Sequence, residues 1–199
     1  MPTPSRETVA AVVLAAGSSR RLGQPKQLLA YQGSTLLDVT LDRVRSFGFL
    51  QQVVTLGGAA LEVRDQVDLA GFELVDSVHH TQGCSSSIVS ALDAIDADAA
   101  GFLLFLGDQP HVSEQAVDAL LTVAATSEIA VIDYRNATGH PFWFSRSMFE
   151  ALGGLHGDKA VWKLLESGDF ETAHARVDAD VPLDVDTWDD YQALLEAAQ

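Results

Sequence analysis

Val9-Ala10-Ala11-Val12-Val13-Leu14-Ala15-Ala16-Gly17-Ser18-Ser19-Arg20-Arg21-Leu22-Gly23-Gln24-Pro25-Lys26 is the stretch that decides the fold. It begins with eight consecutive apolar residues, three of them β-branched. Such a run suits a strand buried on both faces, as in a parallel sheet. It then breaks into a loop that opens at Gly17, passes Gly23 and ends at Lys26, carrying two serines, two arginines and a lysine. Small residues let backbone N–H groups approach a ligand closely, and three cations fall within seven positions. That chemistry suits a polyphosphate. The plainer alternative is a strand-to-helix turn with solvated arginines.

The loop is neither of the two best-known phosphate loops. A Walker A box needs Gly-Lys-Ser/Thr at its end, whereas Lys26 stands between Pro25 and Gln27. A dinucleotide fingerprint needs G-x-G-x-x-G, and the glycines here are six apart. The same mismatch, with no ribose-binding carboxylate evident after the second strand, argues against a nicotinamide-dependent oxidoreductase.

Outward from this stretch, residues 1–8 read as a short disordered lead and residues 9–199 as one domain. Ser34 is placed to cap a helix whose Leu37, Leu41 and Val44 share a face and which Gly48 stops. Val53–Leu56 predicts a strand closed by Gly57-Gly58. A helix over residues 59–69 and a strand over residues 72–78 follow. After the polar loop 79–87, Ile88, Leu92 and Ile95 keep helical spacing. Phe102–Leu106 predicts a buried strand ending at Gly107-Asp108-Gln109-Pro110, and Ser113 then caps another helix. Next come a strand over residues 129–134 and a hairpin or crossover partner over residues 140–144. Helical segments near 146–152 and 158–167 precede a strand near 170–177. Thr187 with Asp190 forms a capping box for a last helix.

Strands alternating with amphipathic helices predict a single-domain α/β fold. Its sheet is doubly wound and mostly parallel, with helices on both faces. Ligands of such sheets sit outside the carboxyl ends of the strands. The segments 16–26, 79–87 and 107–110 all leave strand ends, so they are expected to meet at one edge.

Composition narrows the partners. With 199 residues and 47% hydrophobic content, the chain can bury one core. The formal net charge of −16 argues against nucleic acid. Between Arg64 and Arg135 there is no Lys or Arg, while twelve acidic residues fall there. A small anionic substrate therefore needs the cations of the first loop, or a divalent metal. No apolar run reaches a membrane span and residues 1–8 carry no signal core, so no membrane partner and a cytoplasmic location are expected. The lone Cys84 fits a reducing compartment. Asp108, held after five apolar residues and a glycine, suits a Mg²⁺ site, with a turn aspartate as the alternative.

The pattern L-A-A-G-x-S-x-R-x-G-x-P-K, present from Leu14 to Lys26, resembles the signature of the MobA/MocA-like nucleotidyltransferases. That resemblance implies a Rossmann-like fold and coupling of a nucleoside triphosphate to a phosphorylated acceptor, with release of pyrophosphate. Gly107-Asp108-Gln109-Pro110 resembles the family's metal motif. Asp184-Val185-Asp186-Thr187-Trp188-Asp189-Asp190-Tyr191 resembles its D-[IV]-D-T-P-E-D-Y segment, with Trp188 in place of proline. By this resemblance Asp108 and Asp186 hold Mg²⁺, and Lys26, Arg21 and Asp108 form the catalytic set, while Arg20 falls at a variable position. Strand alternation would point Asp184 and Asp186 the same way, with Val185 buried between them.

Leu14, Ala15, Ala16, Gly17, Ser19, Arg21, Gly23 and Lys26 would bind the nucleotide. So would Gly83, Ser85 and Ser86, in a segment that looks like the family's Gly-Met-Ser-Ser-Ser with Cys84 at the methionine. Gly139, His140 and Pro141, with Asp158, resemble the acceptor-side Gly-x-Pro and Gly-Asp-x-Gly elements, the latter ending in Ala160 rather than glycine. Leu14-Ala15-Ala16-Gly17 follows the cytidylyl branch, whose enzymes join CMP to molybdopterin; the guanylyl branch typically has Leu-Ala-Gly-Gly. CTP or another nucleoside triphosphate, a molybdopterin-like acceptor and a molybdoenzyme receiving the product are thus the implied partners. A sugar phosphate or methylerythritol phosphate acceptor, and a non-catalytic cofactor-binding module, are the alternatives.

Overall fold

The computed structural model describes residues 3–79, 83–157 and 159–198. Its centre is a seven-stranded sheet in the order β5-β4-β1-β6-β8-β7-β9. These strands are β1 (Ala10–Ala15), β4 (Gln51–Leu56), β5 (Glu73–Asp76), β6 (Gly101–Leu106), β7 (Ile129–Asp133), β8 (Thr138–Ser145) and β9 (Thr172–Arg176). The two-residue strands β2 (Ala30–Tyr31) and β3 (Ser34–Thr35) form a separate ribbon. Pairing is parallel except for β8, which runs antiparallel to both β6 and β7. Of the two readings open for residues 140–144, the hairpin holds, and its second strand inserts between β6 and β7.

The apolar run of β1 is buried on both faces because the sheet is covered twice. Ala11, Val13 and Ala15 face a cluster shared with α1 (Leu36–Ser46), α2 (Ala60–Gln66) and α4 (Glu114–Ala124). Ala10 and Val12 face the opposite cluster, shared with α3 (Cys84–Leu92), α5 (Phe149–Gly153) and α6 (Ala160–Glu166). β6 divides likewise, Leu103 and Phe105 to one side and Phe102 and Leu104 to the other. This period-2 partition is what a doubly wound sheet requires of its central strands. A third, smaller cluster joins Leu22, Leu29, Tyr31 and Leu36 to Val185 and to Leu194 of α7 (Trp188–Ala197). It ties the first loop to the acidic segment near the carboxyl terminus.

Several local expectations shift. Thr35, not Ser34, caps α1: its hydroxyl accepts from the Asp38 N–H in a capping box, and Ser34 instead donates to the Asp38 carboxylate at 2.7 Å. Gly48 takes φ 70° just past that helix, the left-handed conformation a glycine stop supplies. Residues 183–187 are irregular rather than a strand, although Val185 is buried between exposed Asp184 and Asp186. From residue 3 on, the lead read as disordered is docked. Arg6 bridges Glu114 at 3.0 Å and Asp118 at 2.7 Å and donates to the Phe47 carbonyl at 3.3 Å. No helix among the described residues is long and apolar enough to cross a membrane.

Candidate active site at the carboxyl ends of the central strands

From β1 the chain moves outward to β4 and β5, then returns to the other side of β1 as β6. The order reverses between β1 and β6, and their carboxyl ends open a crevice. Close backbone approach there demands small residues. The Gly107 N–H donates to the Leu14 carbonyl at 2.9 Å, and a Cβ on Gly57 would come within 2.4 Å of the Ala16 carbonyl oxygen. The crevice is a cavity of about 260 Å³. Its walls come from Leu14–Ser18, from Lys26 and Gln27, from Gly83 and its neighbours, and from Gly107-Asp108, closed by Asp184 and Asp186.

The loop after β1 is held from inside. Ser19 sits at φ 47°, and its carbonyl accepts from the Leu22 and Gly23 N–H groups. Its hydroxyl accepts from the Lys26 N–H at 2.9 Å, so Ser19 shapes the loop. Gly23, at φ 71°, completes the turn. Ser19 and Gly23 border a second depression on the outer side of the loop, beside Gly58 and Ala59. Gln27, which sequence reasoning passed over, is 3% exposed and donates to the Ala15 carbonyl at 2.7 Å and the Gly17 carbonyl at 3.1 Å.

Lys26 is the centre of charge. Its Nζ lies 2.5 Å from Asp108 Oδ2 and 3.0 Å from Asp186 Oδ1, although those aspartates come from distant parts of the chain. Burial alone would lower its pKa, but attraction and hydrogen bonding from Asp108, then Asp186, outweigh it and hold the ammonium above its ordinary value. Arg21 is exposed and reaches Asp186 Oδ2 at 3.5 Å. The acidic segment is stitched to the end of β6 by two bonds. The Val185 N–H donates to Asp108 Oδ2 at 3.2 Å, and Gln109 Nε2 donates to the Pro182 carbonyl at 3.0 Å. Although much of Asp184 is exposed, the partial burial of its carboxyl at the cavity wall, then repulsion from Asp108, raises it above the usual carboxylate range.

Among the described residues no group of three or more His, Cys, Asp and Glu side chains is gathered as a metal cage. Two carboxylates on one ammonium nevertheless fit Mg²⁺, which takes one or two carboxylates and fills its octahedron with water and substrate phosphates. In the serine segment, Ser86 turns its hydroxyl to the carbonyls of Gly83 and His79, at 2.7 and 2.8 Å, rather than into the cavity. Ser85 is buried, and Ser87 lines the cavity in its place, bonded to Ser77 at 2.9 Å. The helix phase, not the motif, decides which serine faces inward. Trp188 is the first residue of α7, a position where proline is also favoured, and the Thr187–Asp190 capping box starts the helix without it.

On the acceptor side, β8 begins near the carboxyl end of β6, which brings residues 139–141 to the same sheet edge. They do not line the cavity. Gly139 packs against Val181, upstream of the acidic segment. The His140 ring stacks on Phe142 at 4.1 Å, and its carbonyl accepts from the Tyr134 hydroxyl at 2.8 Å. Asp158 lies outside the described residues, while Ala160, its neighbour in the motif, is buried at the start of α6.

Burial pushes the His140 imidazole down to about 3. Below pH ~6.5 the unfolded chain protonates this ring and the folded one does not, so acidification favours unfolding until the folded pKa is reached. The residue keeps part of its surface in water, so the loss is about 1 kcal/mol between pH 6.5 and 5 rather than the full linkage value. Melting temperatures over that range should fall more steeply for the native chain than for His140→Gln. Parallel curves would place the ring in a more polar setting.

Comparison with known proteins adds an independent finding. A family described as MobA-like NTP transferase domain matches residues 11–177. The purine catabolism protein PucB of Bacillus subtilis is 28% identical, over 94% of this chain and 95% of its own. A probable molybdenum cofactor guanylyltransferase of Bacillus cereus is 31% identical, over 66% of this chain and 64% of its own. Among solved structures, an Rv0371c homologue from Mycobacterium sp. strain JC1 superposes with a TM-score of 0.91 at 53% identity, covering 97% of this chain and 98% of that one. Rv0371c of Mycobacterium tuberculosis, solved as a complex with manganese, gives 0.85 at 46% identity, covering 96% and 100%.

Proposed function

Since this chain belongs to the MobA-like NTP transferase family, we propose that it is a Mg²⁺-dependent cytidylyltransferase. It moves CMP from CTP onto the terminal phosphate of a molybdopterin-like acceptor in the cytoplasm and releases pyrophosphate, and the product passes to a molybdoenzyme. The observation that carries the reading is the meeting of Asp108 and Asp186 on the Lys26 ammonium, beneath the loop that follows β1. That Rv0371c was solved as a complex with manganese supports the use of a divalent ion.

The chemistry asks for positioning and charge stabilisation rather than an activated side chain. An acceptor phosphate, with its second pKa near 6, is already a competent nucleophile near neutral pH. It attacks the α-phosphorus in line as pyrophosphate leaves. Lys26 meets the transferring phosphate as a compact charge, and Arg21 can take two oxygens of the leaving group at once. The N–H groups of the loop complete the cradle. Asp108 and Asp186 would hold Mg²⁺, which when bound neutralises phosphate charge.

The name of the Bacillus cereus relative favours GTP as the second reading; Ala16 is the residue that speaks for CTP. Pyrophosphate release should be measured with each of the four common nucleoside triphosphates, with and without molybdopterin. CTP with molybdopterin is the expected pair, and Ala16→Gly should loosen the preference without reversing it. Equal or better turnover of GTP by the native chain overturns the base assignment. Release that needs a sugar phosphate or methylerythritol phosphate instead overturns the acceptor, and binding without any release makes the protein a carrier.

A further inference from the structure

Two buried glutamines stand apart from the charged groups just described. Gln27 is 3% exposed and Gln109 4%. Each uses its side-chain N–H₂ on backbone carbonyls at the rim of the site, and each leaves Oε1 buried with no hydrogen-bond partner among the described residues. A buried acceptor without a partner costs about 1–3 kcal/mol. An arrangement tuned for stability alone would have an apolar side chain or a second donor here, so both positions call for a functional account.

Their placement supplies it. A carbonyl and the N–H of the next residue belong to one planar trans peptide and point opposite ways. Gln27 draws the Ala15 and Gly17 carbonyls toward itself. The N–H groups of Ala16 and Ser18 are thereby turned away from it, and both residues line the cavity. Outward N–H groups at a strand-to-loop turn are the elements of an anion cradle. Gln109 acts on the other ligand. Residues 183–187 have no regular structure to fix them. From the amino-terminal side the bond from Gln109 to Pro182, with the one from Val185 to Asp108, sets where Asp186 lies relative to Asp108, while its own N–H is held by Asp190 at 3.1 Å from the other side.

We propose that Gln27 and Gln109 are the positioning residues of this site with separable tasks: Gln27 presets the loop for the triphosphate, and Gln109 presets the carboxylate pair for the divalent cation. The proposal rests on the nucleotidyltransferase reading for the identity of the two ligands, but its test does not use turnover.

The test titrates native protein, Gln27→Met and Gln109→Met with Mn²⁺ alone, and separately with CTP in EDTA, and records melting temperatures. Gln109→Met should weaken Mn²⁺ binding about 10- to 100-fold, as loss of an outer partner of a metal ligand commonly does, and leave CTP unchanged. Gln27→Met should weaken CTP about 10-fold, corresponding to two ordinary hydrogen bonds, and leave Mn²⁺ unchanged. Should either variant fold poorly, Gln27→Glu and Gln109→Glu keep the shape while setting an oxygen against the same carbonyls, and the same division is expected. Weakening of both ligands by each variant, in step with its melting temperature, reduces the glutamines to structural residues and overturns the proposal. Native protein that binds neither ligand overturns the nucleotidyltransferase reading together with it.

Discussion

Lys26→Ala is expected to lower the rate of pyrophosphate release by about 10²- to 10³-fold, the usual cost of removing one preorganised electrostatic group at a reacting centre. Lys26 is placed for such an effect. Its side chain is 17% exposed and its ammonium already touches the two carboxylates that flank the cavity. Lys26→Arg should restore little, because a flat guanidinium fork cannot occupy the point where Asp108 Oδ2 and Asp186 Oδ1 converge. Arg20→Ala should be mild, since Arg20 is exposed and takes no part in the ion pairs of the site. The alanine variant also strands the Asp108 carboxylate, whose side chain is 8% exposed. Breaking a buried pair in this way costs roughly 3–5 kcal/mol of stability, so rates must be referred to folded protein. Near-normal turnover in Lys26→Ala would move the site elsewhere.

Asp108→Asn and Asp186→Asn should each reduce turnover by about two orders of magnitude or more, with the metal requirement weakened and the fold retained. If both act on one ion, the double variant should cost far less than the product of the singles, because the second change removes little that the first has left. Independent, multiplying losses would mean two separate roles. Asp184→Asn is the informative control. Asp184 shares the cavity wall, and burial followed by its acidic neighbours raises its carboxyl above the ordinary value; the ion pairs to Lys26 and Arg21 go to Asp108 and Asp186 instead, so removing its charge should be mild. Loss of activity in Asp184→Asn with none in Asp186→Asn would show that the other member of the pair was the ligand.

The doubly wound sheet was legible because β1 and β6 at its middle carry no polar side chain, which only a sheet covered on both faces accommodates. The edge where the loops meet was legible for a related reason: strand ends are marked by abrupt changes to Gly, Ser and Asp. Details set by tertiary contacts were not. Residues 140–144 read alike as a hairpin arm or a crossover strand, since Phe142-Trp143-Phe144 is buried either way, and only pairing with β6 and β7 decides. Val185 mimics strand alternation, yet its segment is fixed by Asp108, Gln109 and the Leu22 cluster rather than by a strand partner. Ser34 reads as the cap on residue type, but it pairs in the short ribbon, and the helix starts after Thr35, where tertiary context supplies the capping box with Asp38. Gln27 offered no signal of its own beyond following Lys26.

Lys26 and Arg21 cannot serve phosphates and carboxylates at once. In the structure they compensate Asp108 and Asp186, two positive charges against two negative, so the centre is a small internal salt. On the nucleotidyltransferase reading, a triphosphate that draws both cations to itself would leave the aspartates uncompensated, and their affinity for a divalent counter-ion would rise. Loading would then be an exchange of ions in which nucleotide and divalent cation strengthen each other by the same factor. A site built this way would bind its metal more tightly with the nucleotide present than alone.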